Sequence, residues 1–179
     1  MQILLVALTI VLIAIDQLTK HWAELTLAAG KTIEIWHGVF ELRYCRNEGV
    51  AFSLLQDQRW VFIPLTLFAL ALIVVLLFRS EMRKSRLFCL SCILIFAGGV
   101  GNMIDRFAYR YVIDFLYFRL IDFPIFNFAD CCVTVGAVLL FVYLLFFFKE
   151  TENKPLYTVL FGIERKPKKG TADDGTSGE

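Results

Sequence analysis

Two aspartates, Asp114 and Asp130, have the residue type and the surroundings that acid–base chemistry needs. Asp114 lies in YVIDFLYF and Asp130 in FNFADCC, so apolar and aromatic side chains flank each carboxyl. Such surroundings raise the affinity of a carboxyl for its proton, and two carboxyls that share a site cannot easily both ionise. The charged member of such a pair can take a proton from water while the protonated member donates one, as in aspartic proteases. No metal or covalent intermediate is needed.

A pair of aspartates in an apolar chain has two other interpretations. It can relay protons or ions, or it can belong to a structural network of polar groups. The residues alone leave these alternatives open.

Further polar and small residues accompany the pair as candidates for binding substrate or supporting the site. They are Asp16, Lys20, Asn47, Gly49, Asn102, Asp105, Arg106 and Asn127. Asp16 and Lys20 are four residues apart on one helix face, and we expect Arg106 to neutralise its neighbour Asp105 in a charge-assisted pair. The glycines of GGVG (residues 98–101) predict the close approach of another backbone.

Two turn or cap positions are also predicted. Asn127 stands three residues before Asp130, so its amide can cap a helix or bind a substrate backbone. Asn47 and Gly49 favour a tight turn.

The elements that position these residues are mainly apolar helices. The chain has 179 residues, 58% of them hydrophobic, which indicates a protein that crosses the membrane several times. Four spans are predicted, at about 3–20, 60–78, 87–104 and 128–148. A signal peptide is the alternative for the first, but the chain lacks a positive start and passes directly into a charged helical turn.

Between the first two spans, alternating residues from Lys31 onward predict strands, with a turn at His37-Gly38. An amphipathic hairpin on the bilayer surface and an ordinary polar loop both remain possible here.

The density of basic residues predicts the orientation. Residues 79–86 hold four Lys or Arg in eight positions, whereas residues 16–59 hold five in 44. The dense turn is therefore expected in the cytoplasm, with both termini, and the aspartates at the outer rim. From Lys149 the chain is polar, and its end is predicted to be disordered.

Several classes of protein are disfavoured. The net charge is +1 with no basic stripe, so nothing indicates a nucleic-acid partner. The two histidines lie outside any HExxH motif, which excludes a zinc protease. The sequence contains no GxSxG motif, so a serine hydrolase is disfavoured as well. The CxxC of Cys89 and Cys92 lies in an apolar run, so we expect these residues to pack like hydrophobes.

Five short motifs in order, DQLTK, RNEGVAF, AGGVGNMIDR, VIDF and FNFAD, closely resemble those of bacterial lipoprotein signal peptidases, the signal peptidase II family. The resemblance covers about residues 1–148 and implies a four-helix membrane peptidase domain. Its fold would be an all-α integral membrane protein of four transmembrane helices, with a small extracytoplasmic β-cradle at about 31–58 between helices 1 and 2. Residues 149–179 would form a cytoplasmic tail.

The resemblance also implies an activity. It is that of an aspartic endopeptidase of the bacterial inner membrane, which cleaves prolipoproteins before a diacylglyceryl-modified cysteine. The catalytic aspartates fall on Asp114 and Asp130, and the remaining candidates support the site. No cofactor is implied, membrane lipids are partners, and the cyclic peptide globomycin is the expected inhibitor.

Competing hypotheses remain. Presenilin-like and prepilin-type proteases carry GxGD, but this chain has Asn102 at the last position of that motif. A transporter would need polar residues that continue to the cytoplasmic side, and the inner halves of the spans are nearly uncharged. An inactive scaffold is compatible with the sequence.

Overall fold

The helices of this protein set the frame for everything else. The computed structural model of the chain describes residues 2–49, 59–79 and 84–147. Within these ranges lie four α-helices: α1 (Gln2–Leu27), α2 (Arg59–Arg79), α3 (Arg86–Ala108) and α4 (Phe128–Val142). A π-helical turn at Tyr143–Phe147 continues α4. Strands β1 (Thr32–Trp36) and β2 (Phe40–Asn47) follow α1, and β3 (Val112–Tyr117) follows α3.

Three helices are long and apolar enough to cross a membrane: Ile3–Leu27, Arg86–Ala108 and Phe128–Phe147, with 25, 23 and 20 residues. About 20 residues are needed to cross the hydrocarbon layer. The chain is thus a multi-pass membrane protein. Helix α2 is apolar over the shorter stretch Ile63–Phe78, so a fourth span stays a prediction. Helix α1 runs past the predicted end at residue 20, since Leu25 and Leu27 extend its apolar sequence.

Helix α3 is the central helix and packs against α4, α1 and α2. Glycines make this packing possible. A Cβ added to Gly98 would collide with the carbonyl oxygen of Ala129 on α4, and one added to Gly101 would collide with the carboxyl of Asp16 on α1. The predicted close approach of backbones at this glycine run is confirmed.

The strands form one antiparallel sheet in the order β1-β2-β3. A turn at residues 37–39, with Gly38 at φ +70°, joins β1 to β2, so the predicted hairpin is confirmed. The sheet is not, however, confined to the segment between the first two helices, because β3 comes from the segment between α3 and α4. Its β-branched and aromatic residues are typical of strands.

Two apolar clusters hold the elements together. One joins α2, α3 and the end of α4 through Ile73, Phe88, Cys92 and Tyr143. The other joins α1 to β3 through Ala23, Leu27 and Phe115. Cys89 and Cys92 lie in buried positions, as predicted for small core residues.

Some predicted features lie outside the described residues. They are the end of the predicted β-cradle (50–58), part of the basic turn (80–83) and the polar tail (149–179).

Candidate active site

Asp114 lies within β3, and only 1% of the residue is exposed. Asn47 Nδ2 donates to its Oδ2 at 2.8 Å and Asn127 Nδ2 donates to its Oδ1 at 2.6 Å. The pKa of Asp114 is raised to about 6, mainly by burial; the nearby charge of Asp130 also raises this pKa, and the two hydrogen bonds act to lower it. Asp114 is therefore a buried carboxyl that holds its proton more tightly than usual.

A tight turn orients Asn47 toward Asp114. The backbone N–H of Gly49 donates to Asn47 Oδ1 at 2.9 Å, and Gly49 has φ +96°, a conformation that favours glycine. Because the turn takes the amide oxygen, the amide nitrogen is directed at the carboxyl. The predicted turn at these two residues is confirmed.

Asp130 lies in the first turn of α4 and is half-buried. It forms a reciprocal cap with Asn127: the Asp130 N–H donates to Asn127 Oδ1, and the Asn127 N–H donates to Asp130 Oδ2, both at 3.0 Å. Asn102 Nδ2 donates to Asp130 Oδ1 at 2.8 Å. The cap fixes the carboxyl at the helix terminus, where the helix dipole favours its negative charge.

Asn127 connects the two aspartates directly. Its side chain donates to Asp114 while its backbone donates to Asp130, so a single residue contacts both carboxyls. The same Nδ2 also donates to Asn102 Oδ1 at 3.0 Å. Asp114 and Asp130 are thus brought together from β3 and α4, although 16 positions separate them in the sequence.

A buried ionic cluster lies behind the pair. Lys20 Nζ is 2.9 Å from Asp16 Oδ2, 3.0 Å from Asp105 Oδ2 and 3.0 Å from Asn102 Oδ1. Backbone N–H groups complete the cluster, because Ala129 donates to Asp16 and Ile113 donates to Asp105. Lys20 therefore neutralises two carboxylates and reaches the active pair through Asn102.

The expected pairing of Arg106 with Asp105 is wrong. Asp105 pairs with Lys20, and the Arg106 guanidinium donates to the carbonyl oxygen of Asn102 at 3.2 Å. The physical reason is that β3 and α1 cover the side of α3 that carries Asp105, which leaves Arg106 on the side of the active pair.

Comparison with known proteins shows the family of the chain. Residues 8–146 match the sequence profile of the family described as signal peptidase (SPase) II. The chain belongs to the signal peptidase II family. Its members include the lipoprotein signal peptidase of Clostridioides difficile strain 630, 43% identical over 145 residues, which are 80% of this chain and 96% of that protein.

A second relative is the lipoprotein signal peptidase of Streptococcus thermophilus strain CNRZ 1066. It is 42% identical over 133 residues, which cover 74% of this chain and 86% of that protein. A solved structure described as a bacterial membrane enzyme, determined by the in meso method at 1.9 Å, superimposes with a TM-score of 0.73. Its sequence is 29% identical, and the match covers 79% of this chain and 92% of that one. The signal peptidase II chain is therefore an aspartic-type membrane peptidase.

All the candidate site residues of this signal peptidase II chain lie in one connected region. The active pair is linked through Asn102 and Asn127 to Lys20, and through Lys20 to Asp16 and Asp105. Gly49 acts through Asn47, and Arg106 binds the backbone of Asn102.

Sequence reasoning missed Gln17 of this signal peptidase II chain. Its Nε2 donates to Asp16 Oδ2, to the carbonyl of Gly101 and to Asp105 Oδ1, at 3.1, 3.2 and 3.0 Å. The signal was its place in DQLTK, beside Asp16. Among the described residues, no cluster of three or more His, Cys, Asp or Glu could hold a metal ion.

Proposed function

We propose that Asp114 and Asp130 form the catalytic dyad with which this chain removes the signal peptide from prolipoproteins. The observation that carries the proposal is the double contact of Asn127, which donates to one oxygen of each carboxyl. Two carboxyls held together in this way share protons, and one of them stays protonated when the other is charged.

The surroundings of each carboxyl assign its role. Asp114 is buried and has its pKa raised to about 6 by that burial, so the proton of the pair resides on it. Asp130 is half-buried at the start of a helix and accepts hydrogen bonds at both oxygens from Asn102 and Asn127. As the partner of the protonated Asp114, it is the member of the pair left to take a proton. Asp130 is thus the base and Asp114 the acid.

The reaction follows from these roles. A water molecule attacks the carbonyl carbon of the scissile bond with its oxygen, and Asp130 accepts a proton from this water. Asp114 donates its proton to the carbonyl oxygen, which gives a neutral tetrahedral intermediate. When the C–N bond breaks, the proton on Asp130 passes to the leaving amine and Asp114 recovers its own. The amides of Asn47 and Asn127 keep Asp114 in place through these steps.

The name of the relatives, lipoprotein signal peptidase, indicates the class of substrate. We propose that cleavage occurs before a cysteine that carries a diacylglyceryl group. The dyad lies where α4 begins and beside the end of α3, both of which are long enough to cross a membrane. At such a level the lipid of the substrate stays among hydrocarbon while its peptide bond meets water. Globomycin would block the reaction by occupying the dyad.

The proposal includes the membrane arrangement: four spans in the bacterial inner membrane, both termini in the cytoplasm and the dyad at the outer face. Support comes from the basic residues of the turn 79–86 and from the apolar stretch Ile63–Phe78 of α2.

The test uses purified protein and a synthetic prolipoprotein, with and without the diacylglyceryl group on its cysteine. The intact chain should cleave only the lipidated form. Asp114→Asn and Asp130→Asn should each reduce kcat by at least about a hundredfold, the low end of what a general acid or base contributes.

The matched control is Asp122→Asn. Asp122 is an exposed aspartate in the segment between α3 and α4, which also carries Asp114. Asparagine tolerates the left-handed backbone conformation of this position, φ +48°. We expect this variant to keep its activity. Folded Asp114→Asn or Asp130→Asn protein that cleaves at a substantial rate would exclude the dyad.

A further inference from the structure

A cavity of about 600 Å³ lies between the end of α1 and the sheet. Its volume is within the range of small-molecule sites, about 300–1,000 Å³. Most of its lining is polar, and three of the lining side chains are basic: Lys31, Arg43 and Arg119.

This cavity is separate from the dyad. Tyr117 lines it, whereas Asp114 belongs to the active pair, and both lie on β3 three positions apart. Neighbouring residues of a strand point to opposite faces of a sheet, so these two side chains project to opposite faces. Glu41 pairs with Tyr117 in register and also lines the cavity. The cavity therefore occupies the face of the sheet away from Asp114.

The charges in the cavity are not balanced. Arg119 is 3.3 Å from Glu34 and 3.5 Å from Glu41, so the acidic side chains are already paired. Lys31 and Arg43 form no ion pair within the described part of the chain. Two basic side chains without an ion-pair partner in the described part of the chain thus face the cavity, and an anion bound there would pair with both.

The position of the cavity suggests where the anion comes from. Helix α1, which is long and apolar enough to cross a membrane, ends at Leu27, and Leu27 and Ala28 line the cavity wall. The end of an apolar membrane helix marks the boundary between hydrocarbon and headgroups. The phosphates of lipids lie in this layer, next to the side chains of Lys31 and Arg43.

We propose that this cavity binds the phosphate headgroup of an anionic phospholipid, with Lys31 and Arg43 as its ligands. The bound lipid holds the sheet against the bilayer surface through the face that does not carry Asp114. Binding does not depend on proteolysis, so it is measured without a peptide substrate.

The experiment measures the dissociation constants of three probes for the purified full chain in detergent by native mass spectrometry. The probes are dioctanoyl phosphatidylglycerol, dioctanoyl phosphatidylcholine and glycerol 3-phosphate. We expect saturable binding of the first and much weaker binding of the others. Lys31→Gln and Arg43→Gln should each weaken binding of the anionic lipid about fivefold, the effect of one basic residue near a membrane surface.

Arg46→Gln is the matched control, because it removes an exposed charge from the same strand, three residues from Arg43 and outside the cavity. This variant should bind the lipid as the unaltered chain does. Equal affinity for both lipids would overturn the proposal, as would an equal loss in Arg46→Gln. Binding of glycerol 3-phosphate without binding of the lipid would show that the cavity takes a soluble phosphate, and it would overturn the proposal of a lipid ligand.

Discussion

The hydrogen bond from Asn47 to Asp114 affects how tightly Asp114, the proposed acid of the dyad, holds its proton. It stabilises the charged carboxylate, so it acts against burial and lowers the pKa of Asp114. Because the reaction needs the proton on Asp114, kcat/KM should fall as the pH rises above about 6. Asn47→Ala removes the hydrogen bond, raises this pKa and should move the fall to higher pH. The measurement is kcat/KM against pH.

Asp122→Asn serves again as the control, with an expected pH profile like that of the unaltered chain. The sign of the shift is what decides the role of Asp114. A fall of activity that moves to lower pH in Asn47→Ala, or that does not move, would contradict its assignment as the acid.

Lys20 is the residue on which the buried ionic cluster depends. Lys20→Met leaves Asp16 and Asp105 without their shared cation, and an uncompensated buried charge costs roughly 3–5 kcal/mol. We expect a large fall in the thermal unfolding midpoint in detergent. Arg106→Met is the comparison, with a smaller expected fall because Arg106 binds a backbone carbonyl instead. A larger fall of the unfolding midpoint in Arg106→Met than in Lys20→Met would favour Arg106 as the partner of Asp105, as expected from the sequence.

At this scale the sequence predicted two local contacts correctly, gave Arg106 the wrong partner in Asp105, and missed the distant contacts. Asp16 with Lys20 and Asn127 with Asp130 are three or four residues apart, so helix geometry brings each pair together. Lys20 and Asp105 are 85 positions apart on different helices. Their pairing depends on how α1 packs against α3, and the sequence around these residues does not indicate that packing.

At the scale of elements, the glycines of α3 set how closely its neighbours approach. A Cβ on Gly98 would collide with the backbone oxygen of Ala129, which cannot move without shifting α4. A Cβ on Gly99 would meet only the end of the Leu70 side chain, at 2.9 Å, and that side chain can rotate away. Gly98→Ala should therefore lower both stability and activity, because it displaces the helix that carries Asp130.

Gly99→Ala is the matched control, since it makes the same change one residue away and gains about 1 kcal/mol of helix propensity. We expect its unfolding midpoint to stay near that of the unaltered chain. If the two variants were equally unstable, the cost would belong to the helix itself and not to its contact with α4.

The helices were predictable because their apolar runs are long. The hairpin was predictable because apolar and polar residues alternate along its strands with period two. Strand β3 was missed for a physical reason. Val112, Ile113, Asp114 and Phe115 are all buried, so the strand is covered on both faces and shows no alternation. The most important aspartate of the site thus lies on the element with the weakest signal.

At the scale of the whole molecule, the order of apolar runs already predicted that polar residues from distant parts of the chain converge. The structure joins α1, β2, α3, β3 and α4 at one hydrogen-bonded region. What the order of runs could not supply was the third strand of the sheet, which carries Asp114.

Orientation in the membrane is the remaining property of the whole molecule, and it can be measured by cysteine accessibility. In a chain whose five native cysteines are replaced, His37→Cys places an exposed thiol in the turn between β1 and β2, and Lys84→Cys places one beside the start of α3. Basic residues concentrate at residues 79–86, and such turns stay in the cytoplasm. A membrane-impermeant maleimide added to intact cells should therefore label the His37→Cys variant and spare Lys84→Cys until the membrane is opened. The reverse pattern would place the dyad on the cytoplasmic side, where translocated prolipoproteins do not present their cleavage site.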